Sequence, residues 1–232
     1  MPKISATPRS SGDRSYYVVV SDYNAMRAGT EYQDIVNEDT MYKDRFLDRR
    51  AAGWREVFLV PPSGPWRFPE YVEVPRFLVK QRDGRKRRDF AMVRAGEPWV
   101  VTPAFKTVLE SIDPDSCEFR RCDSILPGGQ PGPEIWLFSV TRVLQRAVET
   151  EGAVELRRHY LRPDALAYRL DSMYSRLSFR SDVIGNAHVF HLGDVSVGVI
   201  CDDCVKIACK KAGLKGIAFQ PISINARPNR RT

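Results

Sequence analysis

Two cysteines separated by two residues, Cys201 and Cys204, stand in the stretch VICDDCVKIACKKAG. A thiol at a helix N-terminus feels the positive end of the backbone dipole, which favours the thiolate, so the pair is a candidate for thiol redox chemistry. Joined by Cys117 and Cys122, the same sulfurs make four soft ligands, the number a structural zinc needs. Against zinc, there is no second Cys-x-x-Cys, and the gap between Cys117 and Cys122 sits at the upper edge of ligand spacing. His188 and His191 fall three apart in a run that reads as a strand, so they point to opposite faces and do not readily share a metal. His159 is isolated beside Arg157 and Arg158. There is no Gly-rich phosphate loop, no serine nucleophile elbow and no His-Glu-x-x-His motif. Glu149, Glu151, Asp202 and Asp203 are explained as helix-face and capping charges. No catalytic, cofactor-binding or metal-ligating residue is assigned, and a non-enzymatic protein without cofactor is expected.

The remaining chemistry is that of recognition. Arg82, Arg85, Lys86, Arg87 and Arg88 form the one dense basic run. It reads as a solvated loop tip, or as a docking site for an acidic protein surface or for phosphates. The run lacks interleaved aromatics and follows no nucleic-acid-binding motif, which favours protein over nucleic acid. Upstream, PPSGPWRFPEYVEVP packs five prolines into one short stretch and forbids a continuing helix or central strand. Trp66, Phe68 and Tyr71 there either cover core edges, the favoured reading, or offer Trp66 and Tyr71 as anchors to a partner.

These residues need elements to hold them. Val205, Ala208, Cys209 and Ala212 recur at helical spacing and form one buried stripe. Asp202 or Asp203 serves as N-cap, and Gly213 stands where a left-handed C-cap is required. Strands are expected at 188–192, 195–201 and 216–219. The same plan appears one hundred residues earlier. Residues 99–101 read as a strand, Thr102 as N-cap and Pro103 as first helical residue; Phe105, Val108, Leu109 and Ile112 keep the stripe, and Phe119 lies in the next strand. Thr102 then corresponds to Asp202, Phe105 to Val205, Leu109 to Cys209 and Phe119 to Phe219. Cys201 and Cys209 stand where the first unit has Val101 and Leu109, positions that want small hydrophobes, and this argues for buried thiols over a redox pair.

The segments PWVVTPAFKTVLESI, EIWLFSVTRVLQRAV, LSFRSDVIGNAHVFHL and VKIACKKAGLKGIAFQPI, in that order and spacing, resemble the body of a bacterial immunity-protein family of polymorphic toxin systems. It is the eleventh such family and a former domain of unknown function. The resemblance runs from Tyr16 to Ile222, is densest from Phe90 onward, and contains no catalytic signature. It implies a protein that inhibits by binding a toxin encoded nearby. Where the family carries Ser-Glu-Glu at the start of the last helix, this chain has Cys201, Asp202 and Asp203, which keeps the capping logic.

With 232 residues, 43% hydrophobic and 28% charged, the chain has the composition of an ordinary globular protein able to bury a sizeable core. No run approaches the ~20 apolar residues of a membrane span, and residues 1–15 lack the apolar core of a signal peptide, so a cytoplasmic protein is expected. Five cysteines, an odd number, fit reduced thiols. A net charge of +7 suits an acidic partner, and arginine serves carboxylates as well as phosphates.

The expected organisation is a disordered tail (1–15), an N-terminal lobe (16–88), a C-terminal lobe (89–224) and a basic tail (225–232). A strand is expected at 16–20, a helix at 40–53, strands at 54–60, 74–80, 135–138 and 177–179, and a helix whose stripe is Val140, Val143, Leu144, Ala147 and Val148. Residues 154–174 carry no firm assignment. The fold class is α+β, with mixed or mostly antiparallel strands, a few flanking helices and two similar strand-helix-strand units. The expected function is a cytoplasmic immunity protein binding a cognate protein toxin through Arg82, Arg85, Lys86, Arg87, Arg88, Trp66 and Tyr71. The alternatives are a nucleic-acid-binding protein and a thiol redox protein using Cys201 and Cys204.

Overall fold

The structure is a computed structural model. It describes residues 14–22, 30–37, 40–41, 67–68, 70–81, 88–92, 99–149, 155–159, 162–169, 177–193 and 198–222. Within them lie β1 (Tyr16–Ser21), β2 (Thr30–Ile35), β3 (Arg76–Gln81), β4 (Phe90–Met92), β5 (Trp99–Val101), α1 (Pro103–Ile112), β6 (Cys117–Ile125) and β7 (Ile135–Val140). They are followed by β8 (Val143–Leu144), β9 (Glu155–His159), β10 (Arg162–Arg169), α2 (Ser181–Ile184), β11 (Val189–Leu192), β12 (Ile200–Asp202), α3 (Asp203–Lys211) and β13 (Ile217–Ile222). One sheet has the order β13-β1-β12-β11-β8, a second β2-β3-β6-β7-β5-β4, and β9 and β10 form a hairpin by themselves. All neighbours are antiparallel except β3 with β6 and β8 with β11. The fold is therefore α+β, with mixed, mostly antiparallel sheets and, among the described residues, three short helices. No helix among the described residues is long and apolar enough to cross a membrane.

The hundred-residue offset is a real structural repeat. In each unit a strand leads into a helix and a second strand, and the two strands do not pair with each other. A third, antiparallel strand separates them: β7 lies between β5 and β6, and β1 lies between β12 and β13. The two unit strands are thus parallel in each case, the split form of a strand-helix-strand connection. Registers agree as well. Phe138 on β7 lies opposite Trp99 and Phe119. Val19 on β1 lies opposite Phe219, and its N–H donates to Val199 O on the other side at 2.8 Å. An outer strand completes each set, with Phe90 of β4 opposite Val101 and Val189 of β11 opposite Cys201.

The equivalent residues meet in one core. The first unit supplies Phe90, Trp99, Val101, Phe105, Leu109 and Phe138, and the second supplies Val189, Val199, Cys201, Val205, Cys209 and Val19 at the matching places. One unit is thus mostly aromatic and the other aliphatic or thiol. Facing layers of large and small side chains fill space at native density, which two equal aromatic layers would overfill. The rings of Phe90, Trp99, Phe105 and Phe138 sit 5.2 to 5.4 Å apart in tilted and edge-on pairs, each worth about 0.5–1.5 kcal/mol beyond area burial. Helices α1 and α3 pack against each other over this core. A second cluster around Phe77, Val79, Ile135 and Leu137 lies on the opposite face of the six-stranded sheet, and a third around Tyr16, Phe190, Ile200 and Leu177 serves the other sheet.

The expected helix with the stripe Val140, Val143, Leu144, Ala147 and Val148 is not formed. Val140 ends β7, Val143 and Leu144 form β8, and Arg146 takes a left-handed φ of 55° that no helix tolerates. The apolar residues are buried from an extended backbone instead, because Val143 and Leu144 pair in parallel with His191 and Leu192, while Ala147 and Val148 pack in the third cluster. The spacing suits a helix, but pairing of β8 with β11 and the left-handed turn at Arg146 override the local period. At 177–179 only an isolated bridge joins Phe179 to Val148. Residues 155–169, unassigned from sequence, contain the β9–β10 hairpin. The strands expected at 16–20, 74–80, 135–138, 188–192 and 216–219 are present as β1, β3, β7, β11 and β13, whereas the helix expected at 40–53 and the strand at 54–60 lie outside the described residues, apart from residues 40 and 41. The run expected at 195–201 is described only from residue 198, where β12 follows.

Candidate functional site

The Cys-x-x-Cys residues part company. Cys201 on β12 is fully buried in the shared core, and burial pushes its thiol well above the ordinary value. Cys204, in the first turn of α3, is half-buried. Cys209 and Cys122 are core residues too, each pushed up to about 12 by desolvation. A thiol held protonated in an apolar core is a poor nucleophile and a poor ligand, so Cys201, Cys209 and Cys122 act as small hydrophobes. Cys117 lies 3.0 Å from Ser116 Oγ.

The two helix N-termini show the chemistry that the repeat conceals in sequence. In the first unit Thr102 Oγ1 accepts the Phe105 N–H and donates to Asp89 Oδ1 at 2.8 Å. In the second, Asp202 Oδ1 accepts the Val205 N–H while Asp202 Oδ2 accepts from His188 Nδ1 at 2.7 Å. Asp89 and His188 hold corresponding places, since Thr102 N donates to Asp89 O and Asp202 N donates to His188 O, both at 3.1 Å. The hydrogen bond to Asp202 raises the His188 pKa above its ordinary value, burial opposes it, the charges of Asp202 and Asp113 add to it, and Arg14 opposes it. Asp202 is completely buried. The Cys204 sulfur, one His188 ring nitrogen and an Asp202 oxygen all lie within 4.8 Å of one another. His188 was not singled out with Asp202 by sequence; fourteen residues separate them, and only the pairing of β11 with β12 joins them.

Two carboxylates tie the units together. Asp113, the C-cap of α1, accepts from the backbone of His188 at 2.8 Å and Val189 at 3.2 Å and from Arg142 at 2.5 Å. Asp89 accepts from Lys215 N at 2.9 Å, and its own N–H donates to Lys215 O. Each unit thus anchors the outer strand of the other near its helix C-terminus. The helices also carry matching lysines. Lys106 lies 4.9 Å from the ring centre of Trp136, and Lys206 lies 3.7 Å from that of Tyr17, which occupies the equivalent place on its central strand. Cation–π contacts of this kind stabilise by roughly 0.5–2 kcal/mol.

Of the residues expected to face a partner, Trp66, Arg82, Arg85, Lys86 and Arg87 lie outside the described residues. Arg88 does not sit at a solvated tip: it is only 7% exposed, just before β4, with its Cβ and Cγ beside Gly216. Tyr71 is half-buried, 6.5 Å from the Phe68 ring in centroid distance, so both aromatics cover the second core cluster as the packing reading expects. Beside Tyr71, Val72 and Val74 are 62% and 48% exposed, and Val36 is exposed as well. Asn37, next to Val36, donates to Val74 O and accepts from Arg76 N, which ties these two segments together.

A comparison with protein-family models matches residues 17–223 to the immunity protein family Imm11. The match spans nearly the whole chain, and the protein belongs to this family of immunity proteins. No curated protein matches the chain.

Proposed function

We propose that this protein neutralises a cognate toxin, encoded beside it, by binding the toxin in the cytoplasm and without turning over a substrate. Membership of the immunity family across residues 17–223 carries the reading. The net charge of +7 supports an acidic partner surface, which in this reading meets Arg82, Arg85, Lys86 and Arg87, with Trp66 and the half-buried Tyr71 as aromatic anchors. Val72 and Val74, exposed and close to Tyr71 in the chain, add apolar area near it. Arg88 contributes to packing in this scheme, so a charge-reversal scan stops at Arg87.

An inhibitor must outcompete a lethal activity, which calls for a Kd in the nanomolar range, roughly −12 kcal/mol, or tighter. The test is co-expression of the neighbouring gene product with and without this protein, followed by surface plasmon resonance on the purified pair. Arg85→Glu with Arg87→Glu slows association and weakens its salt dependence, whereas Trp66→Ala speeds dissociation. A neighbour that is not toxic, or a toxin neither bound nor restrained, refutes the proposal. Binding to a fluorescent duplex that collapses between low and moderate salt favours the nucleic-acid reading instead.

A further inference from the structure

The two units offer an internal control for the cluster at the start of α3. Over 103–111 and 203–211 the helices match position for position in burial, with one difference: Ala104 is exposed and Cys204 is half-buried. At the three positions that converge on the helix N-terminus, the first unit has Asp89, Thr102 and Ala104, and the second has His188, Asp202 and Cys204. The first set already satisfies the cap through a hydroxyl and a carboxylate, so capping does not require the second set. What the second set adds is an imidazole, a carboxylate and a thiol in mutual reach.

We propose that His188, Asp202 and Cys204 form a zinc(II) site with three protein ligands and a water in the fourth position. The donor set fits: imidazole, carboxylate and thiolate are the ligands zinc takes, and a three-ligand tetrahedral site keeps one corner open to solvent. Ligand bonds of about 2.0–2.3 Å place neighbouring donor atoms roughly 3.3–3.7 Å apart. The three atoms already lie within 4.8 Å, and the half-buried His188 and Cys204 side chains supply the remaining closure. Asp202 is the fixed member, fully buried and oriented by the Val205 N–H on its other oxygen, as metal-bound carboxylates are. On binding, the Cys204 thiol proton leaves to solvent, and the imidazole proton now shared with Asp202 shifts to the other ring nitrogen. The metal would clamp β11 to the β12–α3 junction. This inference stands apart from the toxin reading, and its test uses no toxin.

The test is cobalt(II) titration of chelator-treated full-length protein, followed by displacement with zinc(II). Wild type takes up about one cobalt per chain, with a thiolate-to-metal charge-transfer band and the visible bands of tetrahedral cobalt, and zinc removes them. Zinc also protects Cys204 from alkylation. Cys204→Ala, which installs the residue that unit one has at 104, loses the charge-transfer band and binds zinc at least about tenfold more weakly. His188→Asp with Asp202→Thr rebuilds the first unit's pair and also loses the metal; if that variant does not fold, Cys204→Ala and alkylation protection decide. Absence of a charge-transfer band in wild type, zinc affinity unchanged in Cys204→Ala, or alkylation indifferent to zinc each overturns the proposal.

Discussion

Replacing Asp113 by alanine removes the carboxylate that joins the end of α1 to the start of β11. Its Oδ2 accepts from two backbone N–H groups, at 2.8 and 3.2 Å, and from Arg142, and the residue is 6% exposed. Hydrogen bonds to a charged acceptor contribute roughly 1.5–3 kcal/mol each, so two orphaned amides alone cost about 3–6 kcal/mol. Water reaching the partly exposed His188 lowers this, while loss of the ion pair with Arg142, a quarter exposed, adds about 1 kcal/mol or less. The expected loss is about 3–5 kcal/mol, a large part of the 5–15 kcal/mol typical of a native domain. Backbone strain does not enter, because Asp113 has φ −148°, open to alanine. Urea denaturation followed by far-ultraviolet circular dichroism measures the difference, with Asp113→Asn losing about half as much because one acceptor oxygen remains. A loss below about 1 kcal/mol for Asp113→Ala would refute the view that this carboxylate couples the two units.

Gly216 has φ +87°, and an added Cβ would meet Phe90 O at 2.4 Å, so Gly216→Ala loses about 2–4 kcal/mol in the same assay, whereas Gly213→Ala, with open space around φ +69°, loses only about 1 kcal/mol. In the presence of chelator, Cys209→Ser lowers stability by about 1–3 kcal/mol by placing a hydroxyl in the core, while Cys204→Ser costs little; equal losses would contradict their different burial. The Cys122 thiol is raised from 9.0 to about 12 in the folded protein, so the unfolded chain ionises first. Its contribution is complete below pH 9.0 and is lost as pH climbs toward about 12, so the melting temperature of wild type falls more steeply than that of Cys122→Val above pH 9.0.

Sequence alone determined the local elements whose signals are local. Thr102 before Pro103, Asp202 before the Val205 stripe and Gly213 after it specify helix ends through caps and backbone conformation that depend on a few adjacent residues, and α1 and α3 begin as those signals require. The hundred-residue offset was legible for the same reason, since two copies of one plan repeat the same short-range constraints. Tertiary structure alone decided which third strand divides each unit, because β7 comes from after its unit and β1 from far before its own, and no local pattern encodes that pairing. It also decided the fate of residues 140–148, whose apolar spacing suits a helix until Leu144 finds Leu192 and Arg146 turns left-handed. The cluster of His188, Asp202 and Cys204 belongs to the same class of fact. In sequence the cysteines pointed to each other; in the fold Cys201 turns into the core, Cys204 toward the helix cap, and His188, just before the neighbouring strand β11, takes the partner's place.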